Sequence, residues 1–138
     1  QLKDLFKDYD YEIVTEKHKS TKDLKTKYKD KVSYLLCGNK KHMFKYMFTI
    51  PINVVKSLVL FLKFKPDVVV TTGAHTCVAM CYIAKMFKKK VIYIESFANI
   101  NTKTLAGRLV YKKADVFIVQ WKSMLKLYPK AVYGGWIF

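Results

Sequence analysis

From Lys65 to Tyr133 the chain repeats one pattern, a short apolar run, a break, and a longer run with helical spacing, and this constrains the fold more than any other feature. The apolar runs are residues 68–72 (VVVTT), 90–95 (KVIYIE), 116–119 (VFIV) and 131–133 (AVY), and helical periodicity occupies 75–87, 102–112 and 122–128. Strands alternating with helices of this size form βαβ units, which close as a parallel sheet covered by helices on its faces. A near-continuous apolar run such as 68–72 suits a strand buried on both faces. The expected class is therefore α/β, a doubly wound parallel sheet, and 138 residues suffice for a single domain over 1–138.

The first half is read less directly. Leu2, Leu5 and Phe6 sit at helical spacing, residues 9–16 (with Tyr11, Ile13 and Val14) suit a strand, and 32–36 (VSYLL) suit a second one ended by Gly38 and Asn39. Between them, 17–31 carry seven lysines and read as a loop or a solvated helix. Residues 43–64 are the most apolar segment, but Lys45, Lys56 and Lys63 fall within about 20° of one another on a helical projection. A spanning helix would place those lysines in hydrocarbon at about 2.5–3.5 kcal/mol each. The segment is an amphipathic helix, kinked or broken near Pro51, and two uses stay open: packing on a sheet, or lying on a membrane through Phe44, Met47, Phe48 and Phe61.

Twenty-six basic residues face ten acids, a formal charge of +16, and the excess runs through both halves. Such a balance suggests an anionic partner. Only Arg108 is arginine, and base readout and bidentate phosphate clamping favour arginine's planar fork, so the lysines fit diffuse attraction to a charged surface better than nucleic-acid reading. A low-GC genome inflates lysine as well. Three cysteines, Cys37, Cys77 and Cys81, form no disulfide framework and no metal set; Cys77 and Cys81 read as small buried residues.

Open parallel sheets bind ligands beyond the carboxyl ends of their strands. Three loops qualify. In the first, Gly73 turns the backbone off the strand, Thr76 offers a capping hydroxyl, and the amides of the next helix make an anion site near Ala74 and His75. In the second, Glu95 ends an otherwise apolar strand and leads into Ser96 and Asn99; a carboxylate there either serves a ligand or organises its own loop. In the third, Gln120 and Trp121 either contact a partner or a sugar or pack at the sheet edge. Glycine-rich phosphate loops, the serine-hydrolase elbow and the zinc-protease helix motif are all missing, and of His18, His42 and His75 only His75 falls on the ligand edge. No catalytic set, metal site or cofactor is expected within the chain.

The run KPDVVVTTGAHTCVAMCYIAK, then KVIYIESFANINTKTLAGRLVYKKADVFIVQW, then YPKAVYGGWIF resembles the membrane-anchoring subunit of two-subunit glycosyltransferases. That family includes the eukaryotic enzyme that adds the second N-acetylglucosamine to dolichol diphosphate, and bacterial PssD- and CpsF-type polysaccharide proteins. More distantly the run is similar to the acceptor-binding half of GT-B glycosyltransferases of the MurG kind. The resemblance implies a Rossmann-like domain, the N-terminal half of a split GT-B enzyme, that holds a lipid-linked acceptor and recruits a soluble subunit carrying most of the UDP-sugar. It places Gly73, Ala74, His75, Thr76, Glu95, Ser96 and Asn99 on the acceptor cleft, and Gln120, Trp121, Tyr133, Gly134 and Trp136 near the partner. Members begin with a strand and a Gly-Gly-His turn ahead of the helix at which this sequence starts. Without that strand, unpaired sheet edges make the chain prone to self-association.

The expected function is that of an accessory, membrane-associated subunit that transfers no sugar alone. Its partners would be a catalytic glycosyltransferase subunit, an undecaprenyl diphosphate-linked acceptor in capsule or exopolysaccharide synthesis, and the anionic cytoplasmic face of a bacterial plasma membrane, with no nucleic acid. The alternative is a self-sufficient transferase using His75 and Glu95 as acid and base.

Overall fold

The computed structural model describes the backbone of residues 5–36 and 43–136 and the side chains of 7–36 and 49–136. Two compact units divide the chain, Gln1–Lys65 and Pro66–Phe138. Each has its own parallel sheet, as the strand–helix alternation demands.

In the first unit α1 (Leu5–Asp8) precedes β1 (Ile13–Glu16), and α2 (Lys22–Tyr28) carries the chain back to β2 (Val32–Leu35). β1 and β2 pair in parallel with Ile13 opposite Val32 and Glu16 opposite Leu35. The lysine-rich segment between them thus resolves into a solvated helix, with no buried residue in α2. Then α3 (Met43–Phe64) runs 22 residues, continuing through Pro51. Among the described residues no helix is long and apolar enough to cross a membrane.

The orientation of α3 departs from what its sequence suggests. Asn53, Ser57 and Phe61 are buried at 6%, 0% and 3% exposure, whereas Ile52, Val55, Val59 and Leu62 stand 45–60% exposed. The two sets occupy arcs about 180° apart on a helical projection. Polar side chains therefore face inward and aliphatic ones outward. Asn53 accounts for the inversion in part: its amide donates to the Leu36 carbonyl and its carbonyl accepts from the Leu36 N–H, both at 2.9 Å, terminating β2 with the pair of bonds another strand would supply. Phe61, expected at the membrane, is instead buried and closed to lipid. The side chains of Phe44, Met47 and Phe48 lie outside the described residues.

In the second unit β3 (Val68–Thr71), β4 (Lys90–Ile94), β5 (Val116–Val119) and β6 (Val132–Tyr133) pair in sequence order, every pair parallel. The crossovers are α4 (Cys77–Met86), α5 (Leu105–Val110) and a 3₁₀ turn, Lys122–Lys126. Central β4 and β5 supply the core: Val91, Tyr93, Ile94, Phe117 and Val119 are all at 4% exposure or less. Around Phe117 the rings of Tyr93, Tyr111 and Tyr128 lie 4.5–5.0 Å away. β3 corrects one expectation. Among the described residues it is an edge strand, and with Val68 and Val70 44% and 46% exposed its apolar run is not buried on both faces.

Candidate functional site

The pairing Thr71 opposite Tyr93 sets the carboxyl ends of β3 and β4 side by side, so the loops that follow them emerge at one sheet edge. Gly73 lies there at φ +89°, a left-handed conformation that glycine adopts without a Cβ penalty. An added Cβ would also sit 3.1 Å from the Tyr93 hydroxyl and 3.5 Å from the Ile94 carbonyl, so the turn is pressed against the end of β4. Ala74 and His75 are exposed beside it. Thr76 does not cap α4 as its position suggested: its backbone is helical and its hydroxyl makes no capping bond. The Cys77 and Val78 N–H groups bond the Ala74 and His75 carbonyls instead, leaving fewer free amides for an anion.

Behind this turn lie two thiols. Cys77, half-buried, donates to the Ala74 carbonyl at 2.6 Å, and Cys81 is buried. Hydrogen bonding from the Cys81 thiol holds the Cys77 thiol below its ordinary range, while the same contact together with burial pushes Cys81 far up. Among the described residues no group of three metal-ligating side chains converges.

Glu95 follows β4 directly and is 1% exposed. Its Oε1 accepts from the Ser96 N–H at 2.9 Å and the Thr104 hydroxyl at 2.8 Å, and its Oε2 accepts from the Tyr128 phenol at 3.0 Å. Thr104 in turn caps α5 by accepting from the Gly107 N–H at 2.9 Å. A carboxylate buried at this depth would cost several kcal/mol if unpaired, and three donors remove that penalty. The geometry is that of a loop organiser, since two of the hydrogen bonds close residues 95–104 on themselves and the third ties them to Tyr128. Gly107 makes the cluster compact: a Cβ there would lie under 3.0 Å from Glu95 Oε2, Tyr128 Oη and Thr104 Oγ1. Neither Tyr128 nor Gly107 stood out in the sequence, because the contact spans 33 residues and carries no local pattern.

Asn99 donates its side-chain amide to the Thr102 carbonyl at 3.2 Å, and Ser96 accepts at its carbonyl from the Asn99 N–H, so the loop is internally braced. Gln120, expected at a partner surface, is 1% exposed and donates to the Glu95 carbonyl at 3.0 Å; burial removes it from any interface. Trp121 remains half-buried, its indole N–H donating to the Phe97 carbonyl at 2.8 Å. Phe97, Trp121 and Trp136 form a surface cluster with centroids 4.9–6.1 Å apart, and Trp136 is 69% exposed. Tyr133 and Gly134, also exposed, follow on from β6.

The family described as "Oligosaccharide biosynthesis protein Alg14 like" matches residues 15–137, nearly the whole chain. The chain belongs to the Alg14-like family. Among curated Alg14 proteins, the mouse "UDP-N-acetylglucosamine transferase subunit ALG14" is 38% identical over 85 residues, covering 57% of this chain and 39% of that protein. The human protein of the same description is 35% identical over 85 residues, again 57% and 39%. That of Candida albicans is 36% identical over 99 residues, 65% of this chain and 45% of that one. The chain thus spans less than half the length of these Alg14 relatives. Among solved structures, a crystal structure of UDP-N-acetylglucosamine 2-epimerase superposes with a TM-score of 0.53 at 12% identity, over 88% of this chain and 45% of that one. At that identity the likeness concerns the fold alone, a Rossmann-like α/β arrangement with parallel sheets.

Proposed function

We propose that the chain is the acceptor-side, accessory subunit of a glycosyltransferase at a membrane surface. A separate catalytic subunit brings the UDP-sugar, and this chain holds a polyprenyl diphosphate-linked sugar at the carboxyl edge of β3 and β4. One observation carries the proposal: the turn of Gly73, Ala74, His75 and Thr76, exposed at Ala74 and His75, and the braced loop bearing Ser96 and Asn99 leave adjacent parallel strands at the same edge. Family membership supports the same division of labour.

In this account Gly73 to Thr76, Ser96 and Asn99 meet the acceptor. Glu95 is a positioning residue, acting through the Ser96 amide and the Thr104 hydroxyl. The alternative in which His75 and Glu95 act as acid and base is disfavoured by the closure of Glu95 to solvent. Trp121, Tyr133, Gly134 and Trp136 supply the surface for the catalytic subunit, because an exposed aromatic cluster is the kind of anchor that dominates interfaces.

Membrane contact falls to α3, through its exposed aliphatic side chains and not through Phe61. Ile52, Val55, Val59 and Leu62 present aliphatic area, and Lys56 and Lys63 are exposed beside them. Each lysine near an anionic leaflet contributes about 1 kcal/mol, and apolar contact supplies the second signal that peripheral attachment needs. The finer reading places the chain at the cytoplasmic face of a bacterial plasma membrane, with an undecaprenyl-linked unit of a capsule or exopolysaccharide as acceptor.

Co-expression with a UDP-N-acetylglucosamine transferase catalytic subunit tests the proposal. The two chains should co-purify, and Trp136→Ala should weaken the complex while leaving the chain folded. Radiolabelled transfer to undecaprenyl- and dolichyl-linked acceptors then separates the two lipids. A complex that neither forms nor depends on Trp136 contradicts the assigned interface.

A further inference from the structure

Between residues 66 and 138 there are eleven basic residues and three acids, and every one of the three acids is already engaged. Asp67 pairs with Lys89 at 2.7 Å and Asp115 with Lys85 at 2.8 Å. Glu95 is enclosed by Ser96, Thr104 and Tyr128. Among the described residues of this unit no carboxylate side chain is left for the remaining cations.

Two of those cations share one groove. A cavity of about 450 Å³ is lined by Asn101, Thr102, Lys103, Arg108 and Leu127, at the point where the loop after β4 runs into α5. Arg108 is the chain's single arginine, and among the described residues neither it nor Lys103 pairs with an acid. The Lys103 ammonium stands 5.1 Å from the Tyr128 ring centroid, held over an aromatic face that is itself buried. Two like charges gathered around one concavity without a counter-charge repel each other, and a bound anion relieves that repulsion.

We propose that this groove is a phosphoryl-binding site. Guanidinium offers a rigid two-pronged donor that matches two oxygens of a phosphate, while a lysine acts as a point charge on a third. Asn101 and Thr102 complete the lining with two polar residues. Leu127 provides an apolar wall against which the organic part of a phosphate ester can rest. A chain that otherwise meets anions with lysine alone has its one bidentate donor at this groove. The ligand class is a phosphate monoester or diphosphate, either free in solution or carried by a lipid headgroup. The groove adjoins the loop of Asn99, which donates to the Thr102 carbonyl, but its test involves no sugar transfer, so it stands or fails apart from the proposed reaction.

The test uses the full chain and its Arg108→Gln, Arg108→Lys and Lys103→Gln variants, each checked for an unchanged circular dichroism spectrum. Inorganic phosphate and pyrophosphate are titrated by calorimetry at fixed ionic strength, with chloride as control. In parallel, flotation is measured with phosphatidylcholine vesicles carrying phosphatidic acid, or an equal charge of phosphatidylserine. Saturable binding should weaken about tenfold or more in Arg108→Gln and by less in Arg108→Lys, which keeps the charge but loses the fork. Should only the phosphatidic acid vesicles respond to Arg108→Gln, the phosphoryl group is that of a lipid. Equal binding by wild type and Arg108→Gln in both arms overturns the proposal, as does displacement of phosphate by an aspartate-rich peptide at lower concentration.

Discussion

Tyr128 donates its phenolic hydrogen to Glu95 across 3.0 Å, joining the segment after β5 to the loop after β4 at a depth where neither side chain is more than 1% exposed. The loop after β4 and the segment after β5 are thereby fixed by one buried carboxylate. Tyr128→Phe removes a donor and leaves an oxygen short of a partner, which should cost about 1–3 kcal/mol. Urea denaturation of the two proteins measures this. A change below about 0.5 kcal/mol, the size usual for unremarkable surface substitutions, contradicts the role assigned to the pair.

Alkaline titration examines the same cluster. Burial first, and then the neighbouring Glu95 charge, push the Tyr128 phenol well above its ordinary value; burial is also the leading cause for Tyr93. A phenol whose folded pKa is raised stabilises the fold fully below its unfolded value of about 10, and the contribution is lost as pH rises beyond it. Of the ten tyrosines, these two should ionise only together with loss of the far-ultraviolet dichroism. Reversible ionisation of all ten in the intact fold contradicts this.

Gly107→Ala tests how tightly the cluster is built. The added methyl would enter within 3.0 Å of three oxygens, two of them already hydrogen-bonded to each other, so the loop or α5 has to shift. Overpacking of this kind costs about 1–3 kcal/mol, although alanine favours helix over glycine by about 1 kcal/mol. Thermal unfolding should show net destabilisation. A stabilised variant would mean that the cluster yields freely.

Asp115 contributes to the acid limb of stability. Its carboxylate takes the Lys85 ammonium at 2.8 Å and the Val91 N–H at 2.7 Å, and these contacts, Lys85 foremost, hold it below the usual carboxylate range. A depressed folded pKa means stability present above the unfolded value of about 4 and lost as pH falls beneath it. Urea midpoints measured from neutral pH downward should therefore fall more steeply for wild type than for Asp115→Asn. Parallel curves contradict the assignment.

What the sequence disclosed, and what it hid, follows from the range of the interactions involved. β4 and β5 were legible because a central parallel strand is apolar throughout, and 90–95 and 116–119 are such runs. β3 carries the same signature yet lies at an edge, since composition does not record which neighbours a strand has. The turn at Gly73 was visible through its glycine, whereas Tyr128 and Gly107 depend on a contact made only after folding. α3 buries Phe61, which the sequence offered to a membrane, because Asn53 bonds the end of β2 and draws its own polar side of the helix inward, a contact that helical periodicity does not record.

That inversion makes the membrane face of α3 testable. Val55→Asp with Val59→Asp alters exposed positions, so stability should change by no more than about 0.5 kcal/mol per site. Binding to vesicles containing anionic lipid should drop about tenfold or more, because two apolar contacts are lost and two repelled charges gained. Unchanged vesicle binding in the double variant removes α3 from the membrane.

The central claim, a divided transferase, is tested most directly by measuring sugar transfer from UDP-N-acetylglucosamine to a polyprenyl diphosphate-linked acceptor with this chain alone, with the catalytic subunit alone, and with the two mixed. Transfer should appear only in the mixture. Sustained turnover by this chain alone would contradict the account.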